Sequence, residues 1–194
     1  MKKQIKVVIY GKMWSGKSNL MNILSGDNIF IENYRKTIGV DHKRTVYKNI
    51  ILNYWDLAGD PKYECLISSY FYNSDIILLV YDCRNIRESF MFVKKFYYNN
   101  IDLFENKKVI LVGNKYDIYD SRYIYNVYEF CEENKIPNFY TSCKTKHGIK
   151  NLVNYLLLDN SLYKIDEETH DKNLLHTYSE LQKNTNKYNC CVLL

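Results

Sequence analysis

The order of hydrophobic and polar positions divides most of the chain into alternating strands and helices. Apolar runs predict strands at 4–10, 50–56, 75–82, 108–113 and 138–142. Apolar residues at helical spacing predict helices over 17–25, 87–99, 123–134 and 148–158. The run DIILLVYD at 75–82 is apolar almost throughout, which is typical of a parallel strand covered on both faces. The alternation predicts right-handed βαβ units in a three-layer α/β domain.

One further strand is predicted from alternation rather than from an apolar run. Residues 40–47 alternate between apolar and polar, and Lys48 and Asn49 separate them from the run at 50–56. This pattern predicts an antiparallel hairpin. Together the patterns predict a six-stranded, mostly parallel sheet with one antiparallel edge strand and about five helices.

The character of the chain changes after about residue 158. Residues 159–189 hold few large apolar side chains and many Asn, Lys and Glu, and only 174–181 suggests a short helix. Segments of this composition bury too little apolar surface to fold alone. The sequence therefore predicts a folded domain over 1–160 and a flexible tail over 161–194.

Composition and charge narrow the classes of function. Of the 194 residues, 46% are hydrophobic and 25% are charged, as in a soluble globular protein. The net charge of +5 comes from scattered lysines rather than a basic stripe, which argues against a nucleic-acid partner. No window approaches the roughly 18 apolar residues of a membrane span, and the first apolar run is too short for a secretory signal. The protein is expected in the cytosol.

The segment GKMWSGKS at 11–18 matches the phosphate-loop pattern G-x-x-x-x-G-K-[ST]. It follows a predicted strand and precedes a predicted helix, which is the context that the pattern requires. The glycines let backbone N–H groups face a polyphosphate, and the helix N-terminus adds partial positive charge. Lys17 is then expected to reach the β- and γ-phosphates, and the Ser18 hydroxyl to bind Mg²⁺. A glycine-rich turn that matches by chance is the alternative.

Three further segments become informative beside the phosphate loop. NKYD at 114–117 follows a buried strand, and a carboxylate there can accept two hydrogen bonds from guanine, which adenine does not offer. TSCK at 141–144 would place the Cys143 N–H near the guanine oxygen and the Lys144 stem beneath the base. TIGVD supplies Thr37, a second hydroxyl for Mg²⁺ on a flexible loop. Taken alone, each of the three segments is equally typical of an ordinary loop.

In this order the motifs resemble the Ras superfamily of small GTPases, and its Rab branch most closely. The resemblance covers about residues 5–158 and is carried by TIGVD, WDLAGD, SSYFYNSD, YDCRNIRESF, LVGNKYD, IPNFYTSCK and the cysteine pair near the end. It implies the P-loop NTPase fold, GTP/GDP and Mg²⁺ as ligands, and hydrolysis of GTP to GDP and phosphate. An ATP-using kinase is excluded, because NKYD and TSCK specify guanine and no acceptor site is visible.

The resemblance assigns roles to the matching positions. Asp56 would hold Mg²⁺ through water, Thr37 would bind it in the GTP state only, and the Gly59 N–H would bind the γ-phosphate. Phe30 and Lys144 would sandwich the base. The expected nucleotide-binding residues are Gly11, Met13, Trp14, Ser15, Gly16, Lys17, Ser18, Asn19, Phe30, Tyr34, Thr37, Gly59, Asn114, Lys115, Asp117, Ser142, Cys143 and Lys144. Loss of the γ-phosphate would release the loops around Thr37 and Gly59, which is the switch that partners read.

The resemblance also predicts an effector surface and a set of partners. A triad of aromatic positions falls on His42, Trp55 and Tyr70; His42 stands where the family usually has Phe, so partner choice is expected to differ. Plain core packing is the alternative for Trp55 and Tyr70. The expected partners are a guanine nucleotide exchange factor, a GTPase-activating protein, a prenyl-binding escort and effectors.

The six cysteines divide into two groups. Four lie singly, without CxxC spacing or a histidine partner, which argues against a disulfide framework or a zinc site; they are Cys65, Cys83, Cys131 and Cys143. Cys190 and Cys191 are adjacent, and CVLL reads as a prenylation box whose terminal Leu favours geranylgeranyl. An unmodified disordered terminus is the alternative.

Charge decides between one lipid and two. Residues 160–189 hold four Lys against five Asp and Glu, so no polybasic patch assists a single chain. Because a lone lipid holds a membrane only marginally, both Cys190 and Cys191 are expected to carry one. The expected location is the cytoplasmic face of an intracellular membrane, in exchange with the cytosol.

Three departures from the family surround the γ-phosphate. Met13 and Trp14 stand where small residues are usual, and their bulk is expected to crowd the attacking water. Asp60 stands where most members have Gln; ionised Asp only accepts hydrogen bonds, is shorter by a methylene and is repelled by phosphate. Pro61 restricts the same loop. Slow intrinsic hydrolysis is expected, whereas activating proteins that bring an Arg and a Gln would still accelerate it. The rival hypothesis is an adaptor whose GTP is never turned over.

Overall fold

The computed structural model of the protein describes residues 2–33, 35–119, 123–158 and 192–193. The strands are β1 (Lys3–Tyr10), β2 (Val40–Tyr47), β3 (Ile50–Leu57), β4 (Ile76–Asp82), β5 (Lys108–Asn114), β6 (Asn138–Tyr140) and β7 (Val192–Leu193). The helices are α1 (Lys17–Leu24), α2 (Glu64–Phe71), α3 (Ile86–Asn99), α4 (Ile124–Asn134) and α5 (Ile149–Leu158). Short 3₁₀ turns lie at Pro61–Tyr63, Ile101–Phe104 and Tyr116–Ile118.

The strands form one sheet in the order β2-β3-β1-β4-β5-β6-β7. Strands β1, β3, β4, β5 and β6 run parallel, and β2 pairs with β3 antiparallel in the register Tyr47↔Ile50. The hairpin turns at Lys48 and Asn49 with Lys48 at φ 50°. The first six strands and the helices confirm the predicted α/β P-loop fold with one antiparallel edge strand.

Strand β4 explains the three layers. Its odd residues, Ile77, Leu79 and Tyr81, pack into one core with α2, α3 and α4. Its even residues, Ile76, Leu78 and Val80, pack into a second core with α1 and α5. Because successive side chains of a strand point to opposite faces, a strand buried on both sides has to be apolar throughout. The run DIILLVYD therefore marks the centre of the sheet.

Two elements differ from the pattern-based prediction. Helix α2 was not among the predicted helical stretches: it has only Ile67 and Phe71 buried, and its N-cap Tyr63 makes no side-chain hydrogen bond, so its apolar stripe is too short to recognise. The last predicted strand, 138–142, ends at Tyr140 instead. Beyond it, Thr141 and Ser142 enter the loop that faces the candidate site described below.

The end of the chain is described only in part. The predicted helix at 174–181, the boundary at 160 and both Cys190 and Cys191 lie outside the described residues. Val192–Leu193 pairs parallel with Asn138 and Phe139 of β6, a pairing that the sequence did not predict. Among the helices that the structure describes, none is long and apolar enough to cross a membrane.

Candidate functional site

The described residues of the predicted nucleotide-binding set gather at the carboxyl ends of the parallel strands, where open α/β sheets bind ligands. Two adjoining cavities of about 450 and 590 Å³ lie there, each within the usual range for a small-molecule site. Trp14, Gly16 and Asn19 line both cavities. The first is called the phosphate cavity below, and the second the base cavity.

The phosphate loop connects β1 to α1 and forms the floor between the cavities. Gly16 lies in the left-handed region at φ 87°, and a Cβ there would meet the Asn114 amide nitrogen at 2.4 Å. Both facts require glycine at this position. Ser15 is buried, and its carbonyl accepts a hydrogen bond from Asn114 Nδ2 at 3.0 Å, which joins the loop to β5.

Lys17 is the first residue of α1 and is buried. Its ammonium donates to the Gly11 carbonyl at 2.9 Å and to the Lys12 carbonyl at 3.1 Å, so the charge is held inside its own loop. Burial lowers the pKa of Lys17 to about 8, against a smaller opposing effect of Asp56. A buried cation at a helix N-terminus is well suited to bind a polyphosphate.

Three oxygen-bearing side chains meet beside Lys17. Ser18 Oγ donates to Asp56 Oδ2 at 2.5 Å and lies 3.1 Å from Thr37 Oγ1, which itself donates to Asp56 Oδ2 at 3.3 Å. The other carboxylate oxygen of Asp56 is buried and makes no hydrogen bond to the described residues. Burial raises the pKa of Asp56, while Lys17 and the two hydroxyls act in the opposite direction. Hard oxygen donors with one unsatisfied carboxylate oxygen fit Mg²⁺.

Asn114 is the central residue of the base cavity wall. Its side-chain amide nitrogen donates to the phosphate loop, and its Oδ1 accepts from Thr141 Oγ1 at 3.3 Å and from Cys143 Sγ at 3.4 Å. Lys115 donates to the Trp14 carbonyl and, at 2.8 Å, to Asp82. Asn114 and Lys115 therefore join the phosphate loop, the loop at 141–144 and the end of β4 into one wall.

Asp117 lies at the rim of the base cavity with its Oδ1 fixed by Ser142 Oγ at 2.5 Å. Phe30, Cys143 and Lys144 line the same cavity, and Phe30 and Lys144 are exposed enough to contact a flat ligand. The sequence prediction grouped these residues, and the structure brings them together. Tyr34, which was predicted beside them, lies outside the described residues.

Asn19 holds the segment that carries Phe30. Its side-chain amide donates to the Ile31 carbonyl at 2.9 Å and accepts from the Ile31 N–H at 2.9 Å. The sequence placed Asn19 in the nucleotide set without a specific role. In the structure it anchors the loop after α1 to the first turn of that helix.

The residues that depart from the family line the phosphate cavity. Met13, Trp14 and Asp60 all contribute to its wall, together with Gly59. Trp14 is 58% exposed and lies at φ 72°, a conformation that costs a bulky side chain about 1 kcal/mol or more. A Cβ on Gly59 would lie 2.6 Å from the Met13 nitrogen, so the chain at 59 passes directly against the phosphate loop.

Three residues of the site were missed from the sequence. Lys36 pairs with Asp60 across the phosphate cavity. Asp82, at the end of β4, accepts hydrogen bonds from Arg84 and Lys115. Burial acts to raise the pKa of Asp82, but these hydrogen bonds outweigh it and the pKa lies below its ordinary value. Lys36 and Asp60 are distant in the chain, as are Lys115 and Asp82, and Asp82 with Arg84 forms no recognised motif. No local sequence pattern therefore predicts these contacts.

The three aromatic residues form a continuous row beside the site. His42 and Trp55 face each other across β2 and β3 with ring centroids 4.3 Å apart, and Tyr70 of α2 lies 5.5 Å from Trp55. Trp55 and Tyr70 are half-buried and pack on the core beneath, whereas His42 is exposed. Trp55 and Tyr70 therefore contribute to core packing, and the row as a whole is still accessible at the surface.

Comparison with known proteins gives a consistent picture. A sequence profile of the Ras family matches residues 6–160. The chain is 39% identical to GTP-binding protein YPT1 of Saccharomyces cerevisiae over 145 residues, 71% of this chain and 69% of the relative. It is 39% identical to Ras-related protein RABD2a of Arabidopsis thaliana over 155 residues, 75% and 74% of the two chains. It is 30% identical to Ras-related protein Rab-32D of Dictyostelium discoideum over 207 residues, 95% and 90% of the two chains.

Proposed function

Because the chain belongs to the Ras superfamily of small GTPases, in its Rab branch, we propose that it is a GTP/GDP switch that regulates vesicle traffic at an intracellular membrane. The observation that carries the proposal is the convergence of Ser18, Thr37 and Asp56 at one point beside Lys17. These side chains come from α1, a loop and β3, and their oxygens suit a metal ion that accompanies a nucleotide phosphate.

Each group in the phosphate cavity has a distinct task. Lys17 supplies positive charge to the β- and γ-phosphates, and the N–H groups of the phosphate loop orient them. Ser18 and Thr37 would hold Mg²⁺ directly, and Asp56 would hold it through water. Mg²⁺ held by these side chains would supply positive charge to the phosphate oxygens, on which negative charge develops during hydrolysis. Gly59 passes directly against the phosphate loop, and its N–H would bind the γ-phosphate there.

The base cavity selects guanine. Asp117 accepts hydrogen bonds from the ring N–H and the exocyclic amino group, and Ser142 fixes the orientation of its carboxylate. The Cys143 N–H faces the guanine oxygen, while Phe30 and the Lys144 stem cover the two faces of the base. Asn114 and Lys115 keep this wall in register with the phosphate loop.

The switch follows from where Thr37 and Gly59 lie. Thr37 precedes β2 and Gly59 follows β3, so both loops are continuous with the strands that carry His42 and Trp55. Loss of the γ-phosphate releases the two loops and changes the aromatic row. Effectors would read that row. A guanine nucleotide exchange factor, a GTPase-activating protein and a prenyl-binding escort would act on the same cycle.

Intrinsic hydrolysis is proposed to be slow. The Asp60 carboxylate is held by Lys36 and by the Lys62 N–H at 3.1 Å, and these bonds keep its pKa below the ordinary value. An ionised carboxylate offers no donor to the phosphoryl group. The same observation favours the second candidate function, an adaptor that keeps GTP bound and recruits effectors without cycling.

The nucleotide that co-purifies with the protein tests both candidates. We expect guanine nucleotide in about equal amount to protein, measured by chromatography after rapid purification with Mg²⁺. GDP would support the cycling switch, whereas GTP would support the adaptor. Adenine nucleotide, or none, would contradict the proposed function. A Ser18→Ala variant is the matched control for the contribution of the proposed metal site, because it removes a metal-binding hydroxyl without disturbing the base cavity.

The affinity for guanine nucleotide is expected to fall as the pH rises above about 8. In the nucleotide-free protein, Lys17 loses its proton near that pH, whereas a bound phosphate stabilises the protonated form. Above the pKa of Lys17 in the free protein, binding is therefore coupled to the uptake of a proton. Calorimetric titrations between pH 7 and 9 should show the affinity decreasing by up to about tenfold per pH unit.

Lys17→Arg is the control for this pH dependence, because a guanidinium stays charged over the same range. Other titrating groups, on the protein or on guanine, affect both proteins equally. We expect the slope of the wild type to exceed that of the variant. Equal slopes would show that Lys17 does not titrate on binding.

Membrane attachment through Cys190 and Cys191 stays a prediction, because both residues lie outside the described part of the chain. The proposal is that geranylgeranyl groups on both cysteines place the protein on a cytoplasmic membrane face. Intact mass of the protein from its native cells measures their number. One group or none would contradict the assignment of two.

A further inference from the structure

We propose that Lys36 sets the preference of this protein for GTP over GDP, by neutralising the Asp60 carboxylate on the γ-phosphate side of the cavity. The inference rests on the proposed guanine-nucleotide function and adds a specificity-determining residue to it. Lys36 belongs to none of the motifs that identify the site. It lies directly before Thr37, on the loop that precedes β2.

The pair lines the cavity in which a γ-phosphate would lie. Lys36 Nζ donates to Asp60 Oδ2, and both side chains line the phosphate cavity together with Lys17 and Ser18. Each partner is also next in sequence to a residue assigned to the GTP state: Lys36 to Thr37, which would bind Mg²⁺ only in that state, and Asp60 to Gly59, which would bind the γ-phosphate. The ion pair therefore bridges the two loops that the γ-phosphate would order.

The charge balance at this point is unfavourable without Lys36. GTP carries more negative charge than GDP, and the additional charge is on the γ-phosphate. An unpaired Asp60 carboxylate at the cavity wall repels that charge and penalises GTP more than GDP. Paired with Lys36, the carboxylate presents no net charge. The ammonium thus makes a cavity with Asp at 60 compatible with GTP.

A second lysine pair offers a matched comparison. Lys43 on β2 pairs with Asp27 in the same way, and both of its residues are also partly exposed. Neither residue lines the phosphate cavity or the base cavity. Removing Lys43 therefore changes the net charge by the same amount as removing Lys36, without altering the surroundings of a γ-phosphate.

The experiment measures the dissociation constants of GDP and of a non-hydrolysable GTP analogue, by competition with a fluorescent guanine nucleotide in Mg²⁺ buffer. The ratio of the two constants is compared among wild type, Lys36→Ala, Asp60→Asn, the double variant and Lys43→Ala. Retained GDP affinity shows in each case that the variant is folded.

The expected changes have opposite signs. Lys36→Ala should lower the preference for the GTP analogue by about three- to tenfold at low salt, and less at high salt. Asp60→Asn should raise the preference, because it removes the negative charge that offsets the Lys36 ammonium near the phosphate. The double variant should return close to the wild type. Lys43→Ala should leave the ratio unchanged.

Two results would overturn the inference. An unchanged ratio in Lys36→Ala would show that the pair does not affect the γ-phosphate. A ratio that falls equally in Lys36→Ala and in the double variant would show that Lys36 acts on the nucleotide without Asp60. Both results are distinct from failure of the proposed function, in which the wild type would bind neither nucleotide.

Discussion

Asp117→Ala is expected to lower the affinity for GDP by about 10²- to 10⁴-fold. The wild-type carboxylate accepts two hydrogen bonds from guanine, and each such bond to a charged group contributes roughly 1.5–3 kcal/mol. Alanine leaves both guanine donors without an acceptor inside the cavity. The rim position of Asp117 and its bond to Ser142 Oγ indicate that the carboxylate is already oriented before binding.

The same loss can be tested from the ligand side. Inosine diphosphate lacks the exocyclic amino group and so loses one of the two hydrogen bonds. The wild type should therefore prefer GDP to inosine diphosphate by about tenfold or more, whereas Asp117→Ala should bind them equally. Calorimetric titrations of both ligands against both proteins give the four affinities that this comparison needs.

Asp102→Ala is the matched control, because Asp102 is an exposed carboxylate in the turn after α3, outside both cavities. It should leave both affinities unchanged. If Asp117→Ala still preferred GDP to inosine diphosphate as strongly as the wild type does, Asp117 would not be the residue that reads the amino group.

The sequence predicts those features of the fold that depend on local periodicity. The central strand β4 is recognisable because burial on both faces requires an unbroken apolar run, and the β2–β3 hairpin because the two polar residues Lys48 and Asn49 separate its strands. Likewise the phosphate loop has a fixed spacing, since the backbone must turn around a phosphate between a strand and a helix. Helix α2 lacked such a signal, because only Ile67 and Phe71 need to be buried.

Contacts that join distant segments were not predictable in the same way. Lys36 and Asp60 are 24 residues apart, and Lys115 and Asp82 are 33 apart. Each partner alone is an ordinary charged residue, and only the sheet order brings them to the same edge. The sequence identified Asp60 as a departure from the family, but only the three-dimensional structure shows that Lys36 is the cation that pairs with it.

Asp60→Gln is expected to raise the single-turnover rate of GTP hydrolysis by about tenfold, which is less than the roughly 10²- to 10⁴-fold that a positioned proton-transfer group contributes. Gln accepts a hydrogen bond from the attacking water and donates one toward the phosphoryl group, whereas the Asp60 carboxylate only accepts and is held by Lys36. Gln also reaches one methylene further into the phosphate cavity. Met13 and Trp14 remain in that cavity and limit the gain.

Asp60→Asn separates the missing amide donor from the shorter reach, because it supplies a donor but keeps the short side chain. Like Asp60→Gln, it also removes the charge. Rates are measured with GTP preloaded on excess protein, so differences in affinity between variants do not enter. If the missing donor alone limits hydrolysis, Asn and Gln should accelerate it equally; if reach also matters, Gln should be the faster of the two. A wild type as fast as Asp60→Gln would contradict the claim that Asp60 limits hydrolysis, and the bulk of Met13 and Trp14 would then be the remaining physical cause of a slow rate.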